Sequence, residues 1–191
     1  MEVIPLGTGV TQQSRAYMLP SKKTEYETPR DLFDRLWDDW DGFDLDPCCQ
    51  RWQYTAAKVL GSGGQIFIPP NAPDPMLPPL PVHDPHIERV HRGGLDRPWY
   101  GKVFMNPPYG REIGKWLAKA VHEVEENRAI VVALLPAKTG PKWWQEYVMT
   151  EGDEFGILGE ADHVQFLPGR LKFEGEKASA PFDSAIVIWQ K

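Results

Sequence analysis

The feature that most constrains this chain is a short apolar run that ends at two prolines. Residues 103–105 (Val-Phe-Met) predict a buried strand, and Asn106, Pro107 and Pro108 follow directly. A proline pair can continue neither a β-ladder nor a helix, so the strand must stop there. Pro107 also pushes Asn106 into an extended or turn conformation, which presents the asparagine at the carboxyl end of the strand. In open α/β sheets, that end is where ligands bind.

The residues after this strand have side chains suited to a flat group that carries an amine. An asparagine amide offers one acceptor oxygen and two donors, and Tyr109 supplies an apolar ring beside it. A strand-ending turn would explain Asn-Pro alone. The complete run Asn106-Pro-Pro-Tyr-Gly110, between a predicted strand and a predicted helix, favours a functional site.

Apolar spacing predicts alternating helices and strands along the chain. One helix is predicted to begin after Thr28, with Thr28 as its N-cap and Pro29 at its first position, and others at 55–60 and 113–124. The near-continuous apolar run at 129–135 is typical of a central parallel strand. Further strands are predicted at 155–158, 164–167, 171–173 and 185–189, and the close spacing of the last three indicates an antiparallel end to a mainly parallel sheet.

Length and composition fit a single domain without a membrane span. The 191 residues fall within the usual size of one domain. Acidic residues outnumber basic ones 27 to 21, and the net charge of −6 argues against a nucleic-acid coat protein, although clustered basic residues would still serve an enzyme that visits nucleic acid. The longest apolar run is too short to cross a bilayer, and no signal peptide opens the chain. The two cysteines are adjacent, so we expect small buried thiols in a reducing cytoplasm.

Ordered motifs along the chain resemble one enzyme family. The tetrapeptide at 106–109 is similar to the catalytic motif of amino-methyltransferases that use S-adenosylmethionine, a motif shared by enzymes that act on RNA and on protein glutamine. The wider set resembles the phage-type (Dam-type) DNA adenine-N6 methyltransferases. In chain order that set consists of Tyr26-Glu-Thr28-Pro29-Arg-Asp-Leu32-Phe33, Phe43-Asp44-Leu45-Asp46-Pro47-Cys48-Cys49, Gly94-Leu95 with Trp99, Asn106-Pro107-Pro108-Tyr109, Leu134-Leu135-Pro136-Ala137 with Trp143-Trp144, and Gly169-Arg170-Leu-Lys-Phe173 with Pro181-Phe-Asp-Ser184.

The resemblance implies a fold and a reaction. The fold is a doubly wound, mainly parallel α/β sheet of the class I S-adenosylmethionine-dependent methyltransferase type, with an antiparallel C-terminal end. The reaction moves a methyl group from S-adenosylmethionine to the N6 amine of adenine in DNA, after the adenine flips out of the duplex. Asn106, Pro107, Pro108 and Tyr109 are the catalytic candidates: the Asn106 side chain and the Pro107 carbonyl accept hydrogen bonds from the amine, and Tyr109 stacks on the base.

The resemblance also marks candidates for cofactor binding near the N-terminus. Tyr26, Thr28 and Pro29 match a segment that lines the adenosylmethionine pocket, although a capped helix alone would explain them. Asn106 is placed beside the same pocket.

A second group of cofactor candidates surrounds the first predicted strand. Asp44, Asp46 and Pro47 end that strand, where a carboxylate can accept bonds from ribose hydroxyls or pair with an ammonium group, whereas Asp-Pro alone predicts a solvated turn. The glycine-rich turn that usually follows is missing, so the part of the cofactor that Asp46 contacts stays open. Gly93 stands where the family has an acid, and Asp96 is a candidate to replace it.

DNA contacts are expected on loops near the carboxyl ends of the strands. Besides Tyr109, the candidates are Lys142, Arg170 and Phe173. Scattered lysines are mostly solvated, so the sequence supports a phosphate contact only weakly.

The chain is predicted to divide into a loose arm at 1–24 and one domain at 25–191, with a proline-rich insertion at about 61–92. Its prolines forbid regular structure over most of that stretch. Because the spacing of His83, His86 and His91 matches no strong zinc pattern, we expect solvated histidines and no metal. The arginines of the insertion favour contact with DNA over a tolerated surface loop.

Two other functions stay open from the sequence. One is a methyltransferase that acts on RNA or on a protein glutamine, since a base amine or an amide fits the same four residues. The other is a catalytically decayed nucleic-acid-binding protein, which the missing glycine turn suggests. The resemblance to phage enzymes implies a setting of restriction and modification, in the host cytoplasm if the protein is phage-encoded, and it implies no oligomeric state.

Overall fold

A mixed β-sheet organises the chain in this computed structural model, which describes residues 23–49, 53–71, 87–149 and 161–191. Its strands are β1 (Leu45–Asp46), β2 (Gln65–Ile68), β3 (Val90–Arg92), β4 (Lys102–Met105), β5 (Ile130–Pro136), β6 (His163–Phe166) and β7 (Ser184–Trp189). Across the sheet they follow the order β3-β2-β1-β4-β5-β7-β6. Strands β1 to β5 are parallel, and β7 runs antiparallel to both of its neighbours. The predicted fold class, including its antiparallel end, is confirmed.

Helices cover both faces of this sheet. They are α1 (Arg30–Asp39), α2 (Tyr54–Gly61), α3 (Ile113–Asn127) and α4 (Lys142–Tyr147), with a 3₁₀ turn at Ile87–Arg89. Alternate residues of the central strands point to opposite faces. Phe104, Val132 and Leu134 therefore pack with α1 and α2, while Val131 and Ala133 pack with α3 and α4. Two buried faces explain why β5 is apolar almost throughout. No helix among the described residues is long and apolar enough to cross a membrane.

Three local predictions need correction. Helix α1 begins at Arg30 with Pro29 as its N-cap and without a side-chain cap, so Thr28 is not the capping residue. Residues 171–173 form a loop and not a strand. The carbonyls of Leu171 and Phe173 accept from nearby N–H groups of the same loop, and the adjoining Glu174 forms an isolated antiparallel bridge with Glu27. The strand predicted at 155–158 lies outside the described residues.

The proline-rich insertion is shorter than 61–92. Strand β2 lies within those bounds, and β3 forms the parallel edge strand beside it, with Ile66 paired to Val90. Both stretches lack proline, so their backbone N–H groups are free to join the ladder. The prolines at 73–85 lie outside the described residues, and so does the predicted arm up to residue 22.

The parallel strands bring the candidate residues to one edge of the sheet. The carboxyl ends of β1, β2, β3, β4 and β5 all lie at the same edge, which we call the carboxyl edge, and their starts lie at the opposite amino edge. Asp46 ends β1, and Asn106 follows β4, which pairs with β1. Ligands of open α/β sheets bind at the carboxyl edge.

Candidate functional site

Asn106 lies at the carboxyl edge with its side-chain amide held by two acceptors. Its Nδ2 donates to the Tyr26 carbonyl oxygen at 2.7 Å and to Thr28 Oγ1 at 2.9 Å. A carbonyl can only accept, so the atom facing Tyr26 must be the amide nitrogen. Asn106 Oδ1 is buried and has no hydrogen-bond partner among the described residues. The site therefore presents one buried acceptor whose orientation is fixed by the chain.

The acceptors for Asn106 come from an extended segment, residues 23–29, which we call the strap. The strap lies beside the loop after residue 173: the Glu174 N–H donates to the Glu27 carbonyl at 2.9 Å, and Lys23 forms an ion pair with Glu176. These contacts tie the strap to the C-terminal part of the chain at one side and to Asn106 at the other. The family resemblance implies cofactor contacts for Tyr26 and Thr28. In the structure both accept a hydrogen bond from Asn106, and Tyr26 also lines the adjacent pocket.

Tyr109 packs into an aromatic cluster beside Asn106. Its ring stacks on Tyr26 with centroids 5.6 Å apart and meets Phe182 edge-on at 5.6 Å. Its hydroxyl donates to the Leu134 carbonyl at 3.0 Å, and its backbone N–H donates to the Thr24 carbonyl at 2.6 Å. Burial raises the pKa of the Tyr109 hydroxyl well above its usual value, so this residue is neutral and serves as an apolar surface.

A pocket opens between the strap and the carboxyl edge. The strap forms one wall, and the turns after β1 and β4 form the others. Its lining residues are Glu25, Tyr26, Glu27, Cys48, Gln53, Asn106, Pro107 and Pro108. The pocket thus combines carboxylates and amides with the face of the Asn-Pro-Pro turn, which suits a ligand that carries positive charge and hydroxyl groups.

Four of the lining residues were not predicted as site residues, and one of them, Cys48, was expected only as a small buried thiol. Glu27 lies within the motif that begins at Tyr26, and Glu25 directly precedes it, but neither glutamate was assigned a role from the sequence. Gln53 is the N-cap of α2, the helix that follows β1. The start of the helix after the first strand is where doubly wound folds usually contact a nucleotide, and that position was the available signal for Gln53.

Asp46 lies at the end of β1 but points into the protein. The residue is 1% exposed, and its oxygens accept bonds from the Cys48 N–H and from Thr55 Oγ1, both at 3.0 Å. Burial raises the pKa of this carboxyl to about 6, and these two bonds, with a third from the Gln53 side chain, partly oppose the shift. Asp46 therefore fixes the turn that brings Cys48 to the pocket wall. Both cysteines are buried thiols.

Asp44 does not belong to the site, contrary to the sequence expectation. It precedes β1 and so lies at the amino edge, across the sheet from Asn106. Its Oδ2 accepts from the Lys102 N–H at 2.7 Å, at the start of β4. Because β1 has only two residues, the two aspartates at its ends face opposite edges of the sheet.

The turn after β3 packs against the end of β1. A Cβ atom on Gly94 would lie 2.1 Å from the Pro47 carbonyl oxygen, so only glycine permits this approach. The indole N–H of Trp99 holds the turn by donating to the Gly94 carbonyl at 2.8 Å. Pro47 is buried beneath this contact. Asp96 lies exposed in the same turn, at the carboxyl edge but not among the pocket-lining residues.

The predicted DNA-contacting residues have different surroundings. Phe173 is 1% exposed and packs against Tyr26 with ring centroids 4.8 Å apart, so it supports the aromatic cluster and has no free face for a base. Lys142 lies on the exposed surface of α4 and pairs with Glu146 at 2.8 Å. Arg170 is exposed, in a loop. Lys142 and Arg170 remain candidates for phosphate contacts.

The described residues contain no cluster of His, Cys, Asp and Glu that could hold a metal ion. His91 lies in β3 with its ring edge-on to Phe67 at 5.6 Å, and burial lowers its pKa. His83 and His86 lie outside the described residues.

The fold places the Asn-Pro-Pro-Tyr turn directly after β4, at the centre of a mainly parallel α/β sheet. Residues 86–191 match the family profile of the DNA N-6-adenine-methyltransferases (Dam). Because this match spans more than half of the chain, the protein belongs to the Dam family. The matched part contains Asn106 to Tyr109 and ends with β7, whereas the strap and β1 precede it.

Other comparisons are more distant. A solved structure from Pyrococcus horikoshii, described as that of a candidate RNA methyltransferase, shares 14% identity and a TM-score of 0.46, and the similarity covers 92% of this chain and 91% of the other. No curated protein matches the chain.

Proposed function

We propose that this protein transfers a methyl group from S-adenosylmethionine to the N6 amine of adenine in DNA. Membership of the Dam family supports the reaction class and the target. The observation that carries the proposal is the state of Asn106. Both N–H bonds of its amide are taken by the strap, and Oδ1 is a buried acceptor without a partner among the described residues. A substrate amine would satisfy that acceptor, and leaving it unsatisfied costs about 1–3 kcal/mol.

The adenine amine is a weak nucleophile, and the proposed chemistry compensates for this. Its lone pair is delocalised into the ring, which makes the nitrogen a poor nucleophile. Asn106 Oδ1 and the Pro107 carbonyl accept one N–H bond each, so the lone pair is concentrated on the nitrogen and directed away from both acceptors. The nitrogen would form a bond to the methyl carbon as the bond from that carbon to the sulfonium sulfur breaks, with S-adenosylhomocysteine as the leaving group. The methylated amine then releases one proton to water. Asn106 is neutral, so it orients the amine and does not deprotonate it.

The pocket fits the cofactor by the chemistry of its lining. S-adenosylmethionine supplies, when bound, an electrophilic methyl group on a sulfonium centre. Glu25 and Glu27 offer carboxylates to its positive charges. Gln53 already hydrogen-bonds to Asp46 through its side chain and offers the rest of its amide to the hydroxyl groups. Asp46 contributes from beneath by holding the Pro47–Cys49 turn in place of a glycine-rich loop.

The substrate requires adenine to leave the base stack. An amine inside a duplex cannot reach a buried acceptor at the edge of a sheet, so the target is a flipped or single-stranded adenine. Tyr109 is neutral and apolar beside Asn106, and stacking of the base on its ring is worth about 1–3 kcal/mol. Lys142 and Arg170 lie exposed on a helix end and a loop of the same edge, where phosphates would pass. Asp96, exposed at this edge, stays a candidate for a cofactor contact.

The test compares substrates under identical conditions. Labelled cofactor is incubated with the protein and with duplex DNA, single-stranded DNA, RNA or a glutamine-containing protein, and the methylated product is identified by nucleoside or peptide mass spectrometry. We expect N6-methyladenine in DNA, and sequencing of the methylated DNA then gives the recognition site. Methylation of RNA or glutamine with none of DNA would contradict the proposal, and so would DNA binding without methyl transfer to any substrate.

A further inference from the structure

Thr28 stands at a position where a helix cap is expected, but its side chain does not cap the helix. A threonine directly before a helix usually accepts a hydrogen bond from the first turn. Here the helix begins at Arg30 with Pro29 as N-cap, and no side chain caps it. Thr28 is fully buried, and its hydroxyl oxygen accepts from Asn106 Nδ2 instead. The hydroxyl therefore serves Asn106 and not the helix.

One acceptor would not fix the orientation of this amide. The terminal torsion of an asparagine side chain is broad, so a group held by one bond swings about it or exchanges its oxygen and nitrogen positions. Two acceptors on one nitrogen, at 2.7 and 2.9 Å, occupy both N–H bonds and define the plane of the amide. The direction of Oδ1 then follows from covalent geometry.

The two acceptors are held in place by the backbone between and after them. Pro29 restricts Thr28 to extended conformations. The bond from the Glu174 N–H to the Glu27 carbonyl, at 2.9 Å, fixes the residue between Tyr26 and Thr28. The pair is thus preorganised by contacts that exist without any ligand, which is the arrangement that catalytic groups need.

We infer that Thr28 is a positioning residue, whose hydroxyl and the Tyr26 carbonyl together hold the Asn106 amide with Oδ1 as its free acceptor. This inference rests on the proposed function for its consequence on rate, but its structural content concerns Asn106 alone. It differs from what the family resemblance implies, which is a contact between this segment and the cofactor. A positioning role changes the rate of methyl transfer, whereas a cofactor contact changes affinity for the cofactor.

The first experiment separates these two roles. Thr28→Val keeps the β-branched shape and removes the hydroxyl, and Thr28→Ser keeps the hydroxyl. We expect Thr28→Val to lower the single-turnover rate about 10- to 100-fold, with cofactor affinity within about threefold of the parent, and Thr28→Ser to restore most of the rate. Ser62→Ala is the control, because it removes a hydroxyl that donates to the Val59 carbonyl at 2.8 Å near the amino edge. The control should match the parent in rate and in cofactor affinity.

The second experiment requires no activity. The side-chain NH₂ signals of Asn106 are assigned in a ¹⁵N–¹H spectrum by their loss in Asn106→Ala, and their exchange with water is measured. We expect both protons to be protected in the parent and in Thr28→Ser, and one to exchange at least about tenfold faster in Thr28→Val. If Thr28→Val does not fold, Thr28→Ala and Thr28→Ser make the same comparison.

The outcomes distinguish the inference from the proposed function. Unchanged protection of the Asn106 amide in Thr28→Val overturns the inference, and so does a loss of cofactor affinity with an unchanged rate at saturating cofactor. If the parent methylates no adenine, the proposed function fails, and the exchange measurement still decides whether Thr28 holds Asn106.

Discussion

The two edges of the sheet treat their polar groups in opposite ways. At the amino edge, the Lys102 backbone N–H donates to Asp44, and its ammonium donates to the Trp40 and Asp41 carbonyls at 2.8 and 2.6 Å. At the carboxyl edge, Asn106 leaves a buried oxygen without a partner among the described residues. Satisfied groups add stability, while an unsatisfied acceptor costs stability and is retained where a ligand can use it. Under the proposed function, the comparison gives fold maintenance to the amino edge and the chemistry to the carboxyl edge.

Asp44 and Asp46 show how close together the two edges lie at β1. They stand two positions apart, and β1 contains only two residues. A strand rises about 3.3 Å per residue, so a shift of two positions is enough to cross from one edge to the other. Asp44 thereby stabilises the start of β4, and Asp46 stabilises the turn at the pocket.

The largest expected effect is on the rate of methyl transfer, when the unpartnered acceptor Asn106 Oδ1 is removed. Asn106→Ala should lower the single-turnover rate of methyl transfer on the order of 10²- to 10³-fold, with cofactor affinity within a few-fold of the parent. Asn127→Ala is the matched change near the amino edge, where Asn127 bonds to Glu123. It should lower stability by about 1 kcal/mol and leave the rate unchanged. A rate for Asn106→Ala close to that of the parent would remove Asn106 from the chemistry.

A smaller effect is expected on the pH dependence of stability. The pKa of Asp46 is raised to about 6 from 3.8, so the folded protein holds this proton more tightly than the unfolded chain. The stability contributed by this group is therefore greatest below about pH 4 and is lost as the pH rises through about 6. Relative to Asp46→Asn, the parent should lose up to about 3 kcal/mol of unfolding free energy between about pH 4 and 7.

The check is denaturant unfolding of both proteins across that pH range. The asparagine variant can keep the fold, since the Thr55 hydroxyl can accept from an amide where it now donates to the carboxylate. Asp34 and Glu123 have lowered pKa values, so their contributions to the pH dependence of stability have the opposite sign. Both proteins contain these two residues, so the contributions cancel in the difference between the two unfolding free energies. A difference that is constant with pH would show that Asp46 titrates as an ordinary exposed carboxyl.

The exposed aspartate at the amino edge should show a weaker effect. Asp44→Ala removes the bond to the Lys102 N–H and should lower the free energy of unfolding by about 1 kcal/mol, since the group is exposed and water replaces part of the interaction. Cofactor affinity and the rate of methyl transfer should match those of the parent. Calorimetric titration that shows weaker cofactor binding in the folded variant would return Asp44 to the site.

Local chemistry made part of the molecule predictable. The proline pair fixes where β4 ends and where Asn106 stands, because no alternative pairing can carry the strand further. The doubly wound class follows from the same reasoning, since the apolar run of β5 needs cover on both faces. These inferences depend on residues close together in the chain.

Contacts between distant segments were not predictable in the same way. The bond between Thr28 and Asn106 joins residues 78 positions apart, and the local pattern at Thr28 fits a helix cap equally well. Phe173 was expected at a surface and is buried, because its neighbour in space is Tyr26, which no local pattern identifies. Asp44 was misplaced because the sequence does not show that β1 has only two residues.

The smallest expected effect concerns one lysine at each edge. Lys142 pairs with Glu146 at 2.8 Å near the carboxyl edge, and Lys191 pairs with Glu125 at 3.2 Å after β7, near the amino edge. Both pairs are exposed, so neither Lys142→Ala nor Lys191→Ala should change stability measurably. If DNA passes over the carboxyl edge only, Lys142→Ala should reduce the slope of log affinity against log salt concentration by about 1, and Lys191→Ala should leave the slope unchanged. Equal slopes for both variants and the parent would exclude a phosphate contact at Lys142. Equal reductions of the slope in both variants would mean that DNA also reaches the amino edge, so that the two edges do not differ in DNA binding.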